Sequence, residues 1–252
     1  MNSQANDNTD MAPDITHLDI WKFTLNGNPR DPRAHLKDLA QDERQRIDQG
    51  IFPELGERAT RSRLGMRWIL ATYLNCSAVE VPLVIGPHGK PELSTDFKIS
   101  PQLYFNLSHC GDYALLAVSR KSPVGVDLER IREESPIEDL AERCFAVEER
   151  KKWLSVPEKQ RRTSFFHLWV QKEAMVKAHG AGMTLPLRFF SGIADPLQHG
   201  GNITSELPEI GKDLWFFHAA PAGEDMRSAI VFQGSETTLI ERNPQEVGLS
   251  QW

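Results

Sequence analysis

The stretch Leu103–Glu129, LYFNLSHCGDYALLAVSRKSPVGVDLE, decides how the chain is read. It holds three strand-like runs, Leu103–Leu107, Tyr113–Ser119 and Gly125–Glu129, each short, apolar and rich in strand formers. His109-Cys110-Gly111-Asp112 and Arg120-Lys121-Ser122-Pro123 separate them with turn chemistry. Upstream, His17-Leu18-Asp19-Ile20-Trp21-Lys22-Phe23 alternates as a half-buried strand. A charged helix is predicted from Pro32 to about Gln49, and a second from Glu57 to Leu74, with Leu64, Trp68 and Tyr73 apolar and Arg58, Arg61, Arg63 and Arg67 on the other face. Gly86-Pro87-His88-Gly89-Lys90-Pro91 is a loop. Downstream, helical patterning covers Pro136 to about Lys152 and Gln160 to His179, where Gly180 and Gly182 stop it. Two strands follow, near Leu214–Ala219 and Arg227–Phe232.

The flanks of that central stretch repeat each other. Asp42-Glu43-Arg44, an arginine-studded helix and Val81-Pro82-Leu83 recur about 105 residues later as Glu148-Glu149-Arg150, a long helix and Leu185-Pro186-Leu187. This predicts an α+β protein of two similar halves, a pseudo-twofold, dimer-like monomer with its active site in the cleft between them. The expected organisation is a disordered polar tail over 1–14, an N-terminal α+β half over 15–123 and a C-terminal α+β half over 124–252.

Composition narrows the function. The 252 residues carry 29 Lys+Arg against 35 Asp+Glu, a net charge of −6, which argues against a general nucleic-acid binder. With 40% hydrophobic and 25% charged residues the chain is ordinary globular material. The apolar runs Tyr113–Val118 and Ser228–Phe232 fall far short of the ~20 residues of a membrane helix. The N-terminus shows no secretory signal pattern, and Cys76, Cys110 and Cys144 are odd in number with no C-x-x-C. The expectation is a cytoplasmic protein with reduced thiols and no membrane partner.

Four motifs could carry chemistry. In Gly125-Val126-Asp127-Leu128-Glu129, alternate residues of a strand share a face, so Asp127 and Glu129 point together while Val126 and Leu128 enter packing. Two such carboxylates are either a solvated strand end or a site for a hard divalent cation. In Trp169-Val170-Gln171-Lys172-Glu173-Ala174-Met175-Val176-Lys177, Trp169, Glu173 and Lys177 lie on one helix face. That is either a surface ion pair or, on a partly buried helix, a third carboxylate for the same cation with Lys177 for a phosphate. Phe105-Asn106-Leu107-Ser108-His109 ends a strand with groups able to hold an anion, and adjacent Ser108 and His109 point apart, against a nucleophilic triad. Gly89-Lys90-Pro91 displays a lysine on a loop of restricted shape.

In that order along the chain, G-K-P, F-N-L-S-H, G-x-D-x-E and W-x-x-K-E-A-x-x-K together resemble the 4′-phosphopantetheinyl transferases of the surfactin-synthetase-activating class. The resemblance spans roughly 41–187 and is most specific at Gly125–Glu129 and Trp169–Lys177, with Gly180-Ala181-Gly182-Met183-Thr184-Leu185-Pro186-Leu187 continuing it. Cys110 stands where serine is common in the family. The resemblance implies transfer of 4′-phosphopantetheine from coenzyme A, the co-substrate, to a serine of an apo acyl, peptidyl or aryl carrier protein, releasing adenosine 3′,5′-bisphosphate. It implies Mg²⁺, or Mn²⁺, on Asp127, Glu129 and Glu173, with Asp127 also contributing to the coenzyme A site. Lys177 would contact the pyrophosphate, and Lys172 would do so or assist the nucleophile. Glu173 is also the implied general base. Lys90, Ser108 and His109 would hold phosphates, adenine would lie near Gly89-Lys90-Pro91, and Arg61, with Arg44, Arg46 and Arg58, are candidates for the 3′-phosphate. Carrier proteins of the family are acidic, which makes Arg143, Lys151, Lys152, Arg161 and Arg162 a candidate docking patch. Two other classes fit parts of this pattern. A non-catalytic coenzyme A binder would have no need of the third acid, and a Mg²⁺-dependent phosphodiesterase lacks an aromatic, basic groove here.

Overall fold

The computed structural model describes residues 17–26, 32–48, 56–94, 102–234 and 237–247. The tail over 1–14 and Trp252 lie outside the described residues, as does the side chain of Arg46. Strands run at β1 (His17–Thr24), β2 (Leu83–Ile85), β3 (Pro91–Leu93), β4 (Tyr104–Cys110), β5 (Tyr113–Ser119), β6 (Val124–Arg130), β7 (Phe190–Ser191), β8 (Gly200–Ser205), β9 (Trp215–Pro221), β10 (Met226–Gln233) and β11 (Thr238–Arg242). Helices run at α1 (Gln41–Asp48), α2 (Gly56–Leu74), α3 (Ile137–Cys144), α4 (Val147–Ser155), α5 (Glu158–His179) and the short α6 (Pro208–Gly211). One sheet has the order β11-β1-β5-β4 and the other β6-β10-β9-β8-β7, while β2 and β3 form a separate hairpin.

The strands are apolar on both faces because each face serves a different core. On β1, Trp21 and Phe23 pack with Met66, Ile69 and Leu70 of α2. Leu18 and Ile20 instead join Leu115, Ala117, Val124, Val126, Leu128 and Ile230 in a core between the two sheets. On β10, Ala229 and Val231 pack with Val170 and Ala174 of α5, and Ile230 and Phe232 turn to the inter-sheet side. The period-two alternation of a strand thus builds four layers, helix, sheet, sheet, helix.

The two halves repeat. β1-β5-β4 and β6-β10-β9 have the same antiparallel order, and each half lays one long helix, α2 or α5, on its sheet. The equivalence reaches side chains. Glu43 accepts from Ala40 N–H at 2.9 Å and holds Arg67 at 2.6 Å, while Glu149 accepts from Ala146 N–H at 3.0 Å and holds Lys172 at 2.7 Å. Arg67 then donates to Ala78 O and Val81 O, and Lys172 to Leu187 O and Phe190 O. The repeated acidic triplets and the V-P-L and L-P-L segments are therefore the two ends of one buried device: a helix-capping glutamate and a cation on the long helix that gathers the following loop.

Several boundaries differ from expectation. The helix predicted from Pro32 is a 3₁₀ turn over Pro32–Asp38 followed by α1, and the one predicted from Pro136 breaks into α3 and α4. The second break lies at Phe145 and Ala146, where both residues are extended and Phe145 is buried. β4 runs on through Ser108, His109 and Cys110, leaving only Gly111, at φ 57°, and Asp112 for the turn. Strands β7, β8 and β11 carry weak patterning of their own and are made by pairing: β11 lies parallel to β1, joining the end of the chain to the first sheet.

Candidate active site

β4 of the first half and β6 of the second lie side by side, with Asn106 Oδ1 accepting from Val126 N–H at 2.8 Å, and α5 crosses β6. The crossing is close because of Gly125. A Cβ there would collide with Ala174 O and Ala178 N of α5, so only glycine lets helix and strand meet. α5 ends where Gly180 takes φ 83°, its N–H capping Val176 O at 3.0 Å. This seam sets the helix-facing residues of β6, Asp127 and Glu129, against Glu173 and Lys177 of α5, with Ser108, His109 and Cys110 of β4 alongside. They line one cavity of about 520 Å³, together with Gly111 and Arg132.

Lys177 Nζ contacts Asp127 Oδ1 at 2.6 Å and donates to Ser108 Oγ at 3.1 Å, and Ser108 Oγ donates to the same Asp127 oxygen at 3.1 Å. The second Asp127 oxygen, Oδ2, is buried with no hydrogen-bond partner. Burial raises the carboxyl pKa of Glu129, and the charge of Asp127 adds to it against the opposing Arg132. Glu173 is raised the same way, by burial first and then by Asp127. Three acids therefore crowd a site in which Lys177 and Arg132, 3.2 Å from Glu129, are the paired cations among the described residues. Ser108 is buried and His109 exposed, as neighbours on a strand must be. The surrounding protein, and then Lys177, holds the His109 imidazolium below its ordinary pKa.

Lys90 Nζ donates to the Lys177 carbonyl at 2.8 Å, so the β2–β3 hairpin of the first half grips the end of α5. Burial lowers the Lys90 pKa, with Glu92 opposing and Lys177 adding to the fall. Lys90 and Pro91 line a neighbouring cavity of about 530 Å³ with Tyr104, Val124 and His179.

Two of the expected residues lie elsewhere. Lys172 is fully buried on the other side of α5, ion-paired with Glu149 and donating to two carbonyls, and does not reach the cavity. Consecutive helix residues point about 100° apart, so Glu173 facing β6 turns Lys172 away from it. The expectation that Lys172 sits at the pyrophosphate or the nucleophile is corrected: its ammonium is spent on Glu149 and two loop carbonyls. Arg61 is buried on α2, held by Glu57 at 2.7 Å, and does not line either cavity. Arg58 pairs with Asp112 at 2.6 Å, next to Gly111 of the cavity, and Arg44 sits half-buried on α1. Arg132 was the residue missed by sequence reasoning; its signal was its place three residues beyond Glu129.

A cation site can be tested on the donors present. Among the described residues no group of three or more His, Cys, Asp or Glu side chains is placed so that it could hold a metal ion. The chemistry nonetheless fits a hard cation. The buried, unpartnered Asp127 Oδ2 and two raised carboxyls are oxygen donors short of positive charge.

Comparison with known proteins agrees with this layout. Residues 123–231 match the 4′-phosphopantetheinyl transferase superfamily model, and residues 27–121 match the N-terminal domain model of 4′-phosphopantetheinyl transferases. The chain is 37% identical over 180 residues to the 4′-phosphopantetheinyl transferase HetI of Nostoc sp., covering 70% of this chain and 73% of that protein. It is 32% identical over 177 residues to a 4′-phosphopantetheinyl transferase of Bacillus subtilis, covering 69% and 74%. It is 29% identical over 171 residues to the human L-aminoadipate-semialdehyde dehydrogenase-phosphopantetheinyl transferase, covering 64% and 55%. With both halves matched and the acids and lysine of the second gathered on one seam, the chain belongs to the 4′-phosphopantetheinyl transferase superfamily.

Proposed function

We propose that the cavity between β4, β6 and α5 carries out 4′-phosphopantetheine transfer from coenzyme A to a serine of an apo acyl or peptidyl carrier protein. The serine oxygen forms a bond to the pyrophosphate phosphorus nearest the pantetheine, the bridging P–O bond breaks, and adenosine 3′,5′-bisphosphate leaves with that electron pair. The work of such a site is positioning and charge neutralisation. Asp127, Glu129 and Glu173 would hold Mg²⁺, or Mn²⁺ by the same oxygen chemistry, and that cation would neutralise pyrophosphate charge. Lys177, fixed by Ser108 and Asp127, presents its ammonium to the same pyrophosphate. His109 and Lys90 flank it as phosphate donors, Lys90 from the hairpin that carries Pro91 beside the adenine. Glu173 would also take the serine proton, directly or through water.

The observation that carries this reading is the buried Asp127 Oδ2 left without a partner between two raised carboxyls and one lysine. The test is incubation with coenzyme A, Mg²⁺ and an apo carrier, read by mass spectrometry. Gain of the phosphopantetheine arm on the carrier supports it; an unmodified carrier across fatty-acid, peptide and polyketide types overturns it in favour of a coenzyme A binder.

The carrier is expected to dock beside α3 and α4, where Arg143 and Lys152 are exposed next to Val147 and Leu154, 71% and 45% exposed, with Lys151 exposed but paired with Glu148 at 2.6 Å. Arg162 is committed to Arg132 O, Ser135 O and Glu133, and Arg161 to Leu154 O, which makes them weaker members of that patch. The net charge of −6 is thus compatible with an acidic partner through this local surface. The reading takes the protein as a cytoplasmic monomer, since the two fused halves already supply the interface a dimer would make.

A further inference from the structure

Arg132 lines the cavity but has no part in the chemistry above. Its guanidinium lies 3.2 Å from Glu129 Oε2, and its side chain is 44% exposed. The main chain beneath it is fixed from two sides: Arg162 Nη1 donates to Arg132 O at 2.8 Å, and Ile131 N–H donates to Asp225 O at 2.7 Å. The ring of Phe166 lies 6.0 Å from the guanidinium carbon, an aromatic face against which the planar cation rests. The backbone is therefore held while the head group is free to change partner. Lys177 differs: it is tied to both Asp127 and Ser108, and only 29% exposed.

Each acid of the G-x-D-x-E strand thus carries its own organic cation, Lys177 on Asp127 and Arg132 on Glu129. A divalent cation that used Glu129 would compete with this guanidinium for the charge of the same carboxylate. We propose that Arg132 is the displaceable counter-ion of Glu129. In the absence of a divalent cation it neutralises the Glu129 carboxylate; an arriving cation must compete with it for that charge, so Arg132 lowers the affinity of the site for the cation. The inference rests on the reading of Asp127, Glu129 and Glu173 as cation ligands. It assigns Arg132 a role in cation affinity and none in the chemical step.

The effect should be the size of an exposed ion pair, about two- to five-fold in the dissociation constant. Removing any positive charge near three acids tightens cation binding somewhat, so a matched control is needed. Arg130, on the same strand end and 48% exposed, pairs with Asp225 rather than with a site acid. The full-length protein, without coenzyme A, is titrated with Mn²⁺ and followed by the loss of free-ion signal in electron paramagnetic resonance. Arg132→Gln should bind Mn²⁺ about two- to five-fold more tightly than wild type, with Arg130→Gln close to wild type and all three melting together. Equal tightening in both variants would assign the effect to net charge and overturn the proposal. So would unchanged or weaker binding in Arg132→Gln while wild type binds, which leaves the metal-ligand reading standing. Absence of saturable Mn²⁺ binding in all three would overturn both.

Discussion

At the scale of single residues, the site and its support separate cleanly once neighbours on the helix are compared. Glu173 faces the acids of β6 and Lys172, one residue earlier, faces Glu149. Asp127→Asn keeps volume and removes one of three crowded charges, so we expect transfer to fall at least 100-fold, in line with loss of a group that stabilises transition-state charge. The melting temperature should stay within a few degrees of wild type; wild-type turnover in this variant would contradict the assignment. Lys172→Met leaves Glu149 buried without its cation and should cost about 3–5 kcal/mol in urea unfolding. Replacing both partners, Lys172→Met with Glu149→Leu, should recover part of that loss, because the Ala146 and Gly192 N–H groups then lose Glu149 as their acceptor. If the recovered protein still transfers at a near wild-type rate, Lys172 is structural; a stable but inactive double variant would return it to the chemistry.

At the scale of elements, the contact between α5 and β6 decides whether the acids meet. Gly125→Ala places a methyl group against the backbone of α5, which cannot yield as a side chain would. It should destabilise by about 3 kcal/mol or more, at the upper end of overpacking effects, and transfer should fall with it. Wild-type unfolding in that variant would show that the helix can ride outward. The same helix contains a titrating weak point. His167 is fully buried, and burial, followed by Arg227, pushes its pKa down to about 4 against an opposing backbone hydrogen bond to Gln198. Its folded pKa lies below the unfolded value, so between about pH 6.5 and 4 the unfolded chain takes up a proton that the fold refuses. Stability is intact above that window and falls as pH drops through it, by at most about 3 kcal/mol from this group. His167→Gln should flatten the pH dependence of Tm between pH 7 and 5; an unchanged slope would locate the acid sensitivity elsewhere.

At the scale of the molecule, the repeat explains why, among the described residues, the acids of the proposed site gather on the second long helix and not on the first. Taking Arg67 and Lys172 as equivalent, the residues after them are Trp68 and Glu173, and five further on Thr72 and Lys177. Trp68 packs against the first core and donates to Asp38, so the first half spends on packing the position that the second half spends on an acid. The halves are also tied at the chain's end. Arg242 of β11 pairs with Asp19 of β1 at 2.8 Å, and Asp19, almost wholly buried, also accepts from Tyr73 of α2. Burial and that bond raise the Tyr73 pKa. Arg242→Met removes the cation beside a buried carboxylate and should destabilise by about 2 kcal/mol. Denaturant unfolding with no change in midpoint would show that Tyr73 alone satisfies Asp19.

The sequence by itself determined the strand runs, the long helices, the repeat and the acids Asp127, Glu129 and Glu173, because strand and helix periods assign a face to each residue within its own element. It could name a lysine pair beside Glu173 but not tell which lysine turned inward, since Lys172 is placed by Glu149, a partner 23 positions away in the numbering. Nor could it show that β11 would return to β1, or that Arg242 would there meet Asp19, 223 positions earlier. Those outcomes depend on which charged groups are left facing one another after the apolar faces have packed, and only the assembled layers decide that.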